Sequence, residues 1–236
     1  MLQIMSEGLQ CWTTAALLNE ATQLGLDGKE GKTFEATVPE TFRGDVLGLH
    51  VGAALDETVA VKTFRAKKSG NRILKEARLQ QLCAAKRVSP PVLGVSVTEK
   101  YIAMPKLASL PVDTYRGAAL PEDLQYAICA LMGLMDEADV LHNDMNARNV
   151  MLDSQGRPWM IDFGLAKAMT PKVRKKNGAH PNVSVTLWGL VRGFKRYKVQ
   201  CPIMDACLKS DDPVPYIEQG KAILAKKSRK RKRRRR

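Results

Sequence analysis

Residues 141–169 read LHNDMNARNVMLDSQGRPWMIDFGLAKAM, and the polar groups in this stretch govern how the rest of the chain is understood. His142, Asp144, Asn149 and Asp162 stand beside the runs 149–152 and 159–161, where burial is expected and unpaired charge is costly. Residues 150–152 and 159–161 read as short strands flanking a Ser154-Gln155-Gly156 turn, so that a loop and the end of a nearby hairpin converge on one pocket. Two carboxylates tolerate each other there if a divalent cation compensates them. Oxygen ligands suit Mg²⁺, which keeps waters and takes the rest of its shell from substrate phosphates. The pattern predicts a nucleotide site.

Upstream, residues 1–26 place Leu9, Trp12, Ala16 and Leu17 at helical spacing, which suggests an amphipathic N-terminal helix. Strands are expected at 34–38, 46–51 and 58–64, separated by turn-like PETFRGD and GAALDE. A helix over 71–85 follows, with Ile73, Leu74, Ala77, Leu79 and Leu82 close to one face, until Ser89-Pro90-Pro91 breaks the run. Residues 92–97 and 101–104 read as another strand pair. From 121 to 139 the period is again helical, with Leu124, Ile128, Leu131, Leu134 and Met135 on one apolar face and Pro121 at the first turn. Beyond Lys167 the chain is strand-poor, with helices expected near 185–197 and 216–226. Sheet first and helices second make an α+β arrangement in two lobes, joined near residues 105–109.

The segment His142-Asn143-Asp144-Met145-Asn146-Ala147-Arg148-Asn149, followed by Asp162-Phe163-Gly164, resembles the catalytic and metal-binding loops of the eukaryotic protein kinases, HxDxxxxN and DFG. Ala60-Val61-Lys62 matches that family's lysine-bearing third strand, and Glu76, in the next helix, matches the lysine's ion-pair partner. The resemblance covers roughly residues 34–167. It implies a bilobal kinase-like fold with an antiparallel-sheet N-lobe and a shortened helical C-lobe, and it implies ATP and Mg²⁺ as cofactors. It also implies roles. Lys62 holds the α- and β-phosphates while Glu76 orients it, Asp144 accepts or orients the proton of the attacking hydroxyl, and Asn149 with Asp162 holds Mg²⁺. His142 has a structural part in that family. Residues 101–107 look like the fifth strand and hinge, and Val46, Ala60 and Met104 line the adenine slot.

The pattern departs from the family in several places. Aligned backwards from Lys62, the phosphate-covering loop falls at PETFRGDV, residues 39–46, with Gly44 as its only glycine; Gly28 and Gly31 offer a competing placement farther from Lys62. Close approach of backbone amides to phosphate needs glycine's freedom, so a weaker grip on ATP is expected. Asn143 replaces the arginine that docks a phosphorylated activation loop, which points to constitutive activity. Asn146 replaces the lysine usual in serine/threonine kinases. Arg148 either supplies that charge near the γ-phosphate or serves as a surface salt-bridge partner. No Ala-Pro-Glu follows Lys167, and Trp188-Gly189 lacks an accompanying aspartate. In this reduction the chain looks like RIO-type kinases, the kinase of the tRNA threonylcarbamoylation complex, and compact kinases of large DNA viruses.

At 236 residues and 44% hydrophobic composition, the chain can bury a substantial core. No apolar run is long enough for a membrane span, and MLQIMSEGLQCW lacks a basic stretch ahead of an apolar one, so an unsecreted protein without a membrane partner is expected. The five cysteines show no CxxC pairing and read as reduced thiols. Ten of the last eleven residues, KKSRKRKRRRR, are basic, which leaves only +4 of the net +14 to the preceding 225. Such a block repels itself and is expected to be disordered alone, serving as a nuclear import signal, a nucleic-acid clamp or both.

The expected division is therefore residues 1–107 for an N-terminal extension and N-lobe, 108–225 for the C-lobe and 226–236 for the tail. The expected function is an ATP- and Mg²⁺-dependent protein kinase, serine/threonine rather than tyrosine, located in the nucleus or in nucleus and cytoplasm. Its expected partners are a protein substrate, nuclear import machinery and nucleic acid. A pseudokinase-like scaffold that binds nucleic acid through the tail, and a small-molecule phosphotransferase, are the alternatives.

Overall fold

The computed structural model describes residues 18, 21–24, 31–37, 58–110, 112–144 and 146–234, with side chains as far as 226 and that of Ser109 left aside. The chain divides into two compact units, Met1–Gln81 with Pro90–Lys106, and Leu82–Ser89 with Leu107–Arg236.

The first unit is built on an antiparallel sheet. Its strands are β1 (Thr22–Leu24), β2 (Gly31–Thr37), β3 (Thr58–Phe64), β4 (Gly94–Ser96) and β5 (Tyr101–Pro105), in the order β1-β2-β3-β5-β4. In β3, TVAVKTF, side chains alternate between the faces. Val59 and Val61 pack with Ala36, Leu93, Tyr101 and Ala103 on one side. On the other, Phe64 and the partly buried Ala60 join Val92, Val95, Ile102 and Met104 against Ile73 and Ala77 of helix α1 (Gly70–Ala85). Leu82, grouped by its spacing with the apolar face of α1, is instead exposed.

Two expectations change at the N-terminus. Residues 22–24, assigned to a helix, form β1, in register with β2 from Thr22↔Glu35 to Leu24↔Thr33. The open edge of β2 offers ladder hydrogen bonds that no local periodicity records. The remainder of that helix, apart from Leu18 and Ala21, and the strand expected at 46–51 lie outside the described residues.

In the second unit, helix α2 (Glu122–Glu137) is the axis, buried on nearly every side from Leu124 to Asp136 rather than along the single face its spacing predicts. Around it pack α5 (Pro202–Lys209), α6 (Val214–Arg234) and a π-helical turn, Val183–Leu187, that runs into α4 (Trp188–Arg196). Strands β6 (Ala108–Ser109), β8 (Val150–Leu152) and β9 (Pro158–Met160) form an antiparallel sheet in the order β6-β8-β9, and β7 (Val140–Leu141) pairs with β10 (Lys167–Ala168). The basic stretch after Thr170 folds into a helix, α3 (Pro171–Asn177), started by the Thr170 hydroxyl accepting from Val173 N and ended at Gly178, φ 82°. The basic block expected to be disordered continues α6 as helix through Arg234. Docking of α6 on α2 supplies the nucleus that an isolated helix lacks, and lysine and arginine propagate a helix well.

Cys83, Cys129, Cys201 and Cys207 are buried and free of disulfides. No described helix is long and apolar enough to cross a membrane.

Candidate active site

In the first unit, the alternation of β3 puts Lys62 on the face that carries α1. Glu76 sits one turn beyond Ile73 on the inward side of that helix, so the two meet: Lys62 Nζ lies 2.6 Å from Glu76 Oε1. Glu76 is buried, and a second lysine shares it. Lys68 Nζ lies 2.7 Å from Oε2. Lys68 carries no signal in the sequence, because RAKKS reads as a solvated turn. Ala60 and Met104 stand opposite each other in the β3–β5 ladder, and their side chains therefore share a face. The thioether of Met104 accepts from Gln80 Nε2 at 3.7 Å. Gly44 and Val46, assigned to the phosphate loop and the adenine slot, lie outside the described residues.

In the second unit the loop 142–149 and the segment 162–166 are clamped together at both ends. Leu141 pairs with Lys167 and Val140 with Ala168 at one end, and Val150 pairs with Met160 at the other. The ladder extends by one bond, Ile161 N to Asn149 O at 2.9 Å, which ties Asn149 to the residue just before Asp162. The β8–β9 hairpin that achieves this is closed by Asp153. Its Oδ1 accepts from Gln155 N and Arg157 N, and its Oδ2 accepts from Trp159 Nε1.

His142 is fully buried within this clamp. Its Nε2 donates to Ile161 O at 2.9 Å, its Nδ1 accepts from Asp144 N at 3.4 Å, and its ring meets Phe163 edge-on with centroids 4.7 Å apart. Burial holds its pKa below the ordinary imidazole value. A neutral ring with both nitrogens engaged by backbone is a strut and not a base, in line with the structural part expected for it. Asn143 (φ 61°) and Asp162 (φ 63°) both adopt left-handed backbone, a conformation that Asn and Asp tolerate better than most residues. Asp162 Oδ1 accepts from Gly164 N at 3.3 Å, and Asn143 Nδ2 donates to Leu165 O at 3.3 Å. Asp144 is half-buried, with Oδ1 accepting from Asn146 N at 3.2 Å. Arg148 is exposed and carries its guanidinium over the Tyr197 ring, 5.8 Å from the centroid.

The clamp has a deeper support that the sequence did not reveal. Asn182, wholly buried, accepts from His142 N at 3.1 Å and from Thr186 Oγ1 at 3.0 Å through Oδ1. Its Nδ2 donates at 2.7 Å to both Val140 O and Asp136 Oδ1. Asp136 also accepts from Asn182 N at 3.1 Å. Burial raises the Asp136 pKa to about 6, with the Asn182 hydrogen bonds, His180 and Arg174 opposing the rise. No periodicity or motif marks Asn182, which follows His180-Pro181.

Two side chains, Asn149 and Asp162, offer the hard oxygen donors that Mg²⁺ takes. Asn149 is only 5% exposed, and its Nδ2, a donor that no cation takes, has no hydrogen-bond partner among the described residues. Among the described residues no three His, Cys, Asp or Glu side chains gather as metal ligands.

The protein tyrosine and serine/threonine kinase family model matches residues 27–188. This chain belongs to the protein kinase superfamily. The antiparallel sheet followed by a helical part agrees with the α+β, kinase-like fold expected from the sequence. Kinase-superfamily membership implies ATP as the nucleotide. Among curated relatives, the 3-deoxy-D-manno-octulosonic acid kinase of Photobacterium profundum is 40% identical over 52 residues, covering 22% of this chain and 22% of that protein. A probable cyclin-dependent kinase 9 of Caenorhabditis elegans is 33% identical over 87 residues, covering 33% and 18%. The probable serine/threonine-protein kinase PknB of Lactococcus lactis subsp. lactis is 27% identical over 149 residues, covering 56% and 24%. The chain thus spans between 18% and 24% of the length of these relatives.

Proposed function

We propose that the chain transfers the γ-phosphate of ATP to a protein hydroxyl, with serine or threonine as acceptor. One observation carries this reading. The Lys62–Glu76 pair is formed, and the loop bearing Asp144 and Asn149 is clamped against Asp162-Phe163-Gly164, so the polar groups that such a transfer uses are held before any substrate arrives. Lys62 grips the α- and β-phosphates through its ammonium, which Glu76 orients. Asp144 accepts or orients the proton of the attacking hydroxyl. Asn149 and Asp162 hold Mg²⁺ through oxygen, and the cation, when bound, neutralises charge on the phosphoryl group in transfer. Ala60 and Met104 line the adenine slot, while the parts expected of Val46 and Gly44 fall on residues outside those described. A part for Arg148 at the γ-phosphate requires its guanidinium to leave Tyr197.

Serine or threonine is favoured because the Lactococcus relative, named a serine/threonine-protein kinase, matches more of this chain than the other two. Transfer of radiolabelled γ-phosphate, wild type against Asp144→Asn, tests the reading. The variant is expected to lose at least about a hundredfold in rate at unchanged thermal stability, and equal rates remove the enzymatic reading.

A small-molecule acceptor is the second reading, and the 40% identity to the octulosonic acid kinase favours it. Offering protein mixtures and 3-deoxy sugar acids separately decides between them: label on the sugar alone overturns the protein acceptor. The basic block 226–236 is read as the address that brings the protein to the nuclear import machinery, with nucleic-acid phosphates as a further partner.

A further inference from the structure

We infer that Lys68 is a positioning residue that pins Glu76, so that the Lys62–Glu76 pair stands assembled without a regulatory event. The inference rests on the proposed ATP site and deepens it. Each oxygen of Glu76 has its own cation, Lys62 on Oε1 at 2.6 Å and Lys68 on Oε2 at 2.7 Å. Lys68 is the more buried of the two, its side chain 7% exposed against 14%, and its ammonium lies 4.2 Å from the centroid of the Phe64 ring. A charged group this deep stays where its partners are, because retreat would leave the other charge unpaired in a poorly solvated place.

The turn that carries Lys68 is itself secured. Lys100 Nζ donates to Ala66 O at 2.6 Å and to Lys68 O at 2.8 Å, and Lys68 N donates to Arg65 O at 2.9 Å. At the start of α1, Gly70 passes so close to Val97 that an added Cβ would lie 2.2 Å from Val97 Cγ1. Sheet, turn and the start of α1 are thus tied together ahead of Glu76. With Oε2 engaged by Lys68, the carboxylate is fixed in orientation and presents only Oε1 to Lys62. A helix held in this way does not need Lys62, or a bound nucleotide, to draw its glutamate inward.

ATP affinity, measured by calorimetry, and phosphate transfer are to be compared for wild type, Lys68→Met, Lys68→Gln, Glu76→Gln and the Lys68→Met/Glu76→Gln double variant. Lys68→Met is expected to weaken ATP binding about tenfold and Lys68→Gln, which keeps a donor, less. In the Glu76→Gln background Lys68→Met should add little, because Lys68 acts through Glu76. If Lys68→Met lowers the melting temperature and leaves ATP affinity unchanged, Lys68 is only a structural tie and the inference falls. An undiminished loss in the Glu76→Gln background also overturns it, since Lys68 then meets the phosphates itself. Where Lys68→Met does not fold, Lys68→Gln and Lys100→Met, which loosens the turn from outside the ion cluster, are read by the same affinity measurement. ATP binding without transfer in the wild type rejects the kinase reading while the affinity series still decides on Lys68; no ATP binding rejects both.

Discussion

Single residues here take their character from burial more than from neighbours in sequence. His142 is held neutral as a strut, and Asp136 is pushed the other way, its carboxyl protonating at about 6 because the helix interior penalises its charge. Asp136 Oδ2 has no hydrogen-bond partner among the described residues, and neither has His180 Nδ1, 3.7 Å away. The folded pKa of Asp136 exceeds its ordinary value of 3.8, so the stability it contributes is complete below about pH 4 and is lost as pH rises through about 6. The largest slope a single such proton produces is about 1.4 kcal/mol per pH unit. Asp136→Asn keeps an acceptor for Asn182 and removes the titration, so the variant should gain on wild type as pH climbs from 4 to 6, in urea unfolding at stepped pH. Parallel curves would mean that Asp136 titrates normally in the fold. Asp144, Asn149 and Asp162 were legible in the sequence because each is part of a fixed local spelling. Asn182, Asp136 and Lys68 were not, because their partners are remote or, for Lys68, because the spelling is that of an ordinary surface turn.

Among the elements, α2 and α6 depend on one another through two glycines of different tolerance. A Cβ at Gly133 would come 2.5 Å from Ile217 Cγ2, a side-chain atom that can rotate away. At Gly220 it would come 2.0 Å from Tyr126 O, backbone that can yield only if the helices part. Gly133→Ala should therefore cost about 1–3 kcal/mol, and Gly220→Ala more than about 3 kcal/mol, by thermal and urea denaturation. Equal small losses would show that the crossing is loose. Periodicity located β3, α1, α2 and the β8–β9 hairpin to within a few residues, since each has a repeating apolar pattern or a marked turn. It missed β1, β7 and β10, which exist because another strand offers them an edge. It also missed α3, although Thr170-Pro171 before and Gly178 after are ordinary start and stop signals.

At the scale of the whole molecule, most of the net positive charge sits in the C-terminal block. Helix α6 is tied down ahead of the basic block, where Lys221 Nζ lies 2.7 Å from both Glu137 Oε1 and Glu218 Oε1. Deleting residues 226–236 should move a fluorescently tagged protein from nucleus to cytoplasm and leave ATP turnover within about twofold of wild type, and a collapse of turnover would make the block part of the active assembly. Binding of nucleic acid through it should weaken steeply with salt, as counterion release requires. The sequence by itself marked Lys62, Glu76, Asp144, Asn149 and Asp162 as residues expected to serve one chemistry, and it determined an α+β chain of kinase kind. Tertiary structure alone decided what supports those residues: the second lysine on Glu76, the backbone partners that engage both ring nitrogens of His142, and the Asp136–Asn182 brace beneath it. Local spelling encodes chemistry because a loop of fixed length must present its groups to one ligand. Support comes from residues distant along the chain, such as Asn182, 40 positions after His142, and only folding brings these within hydrogen-bond range.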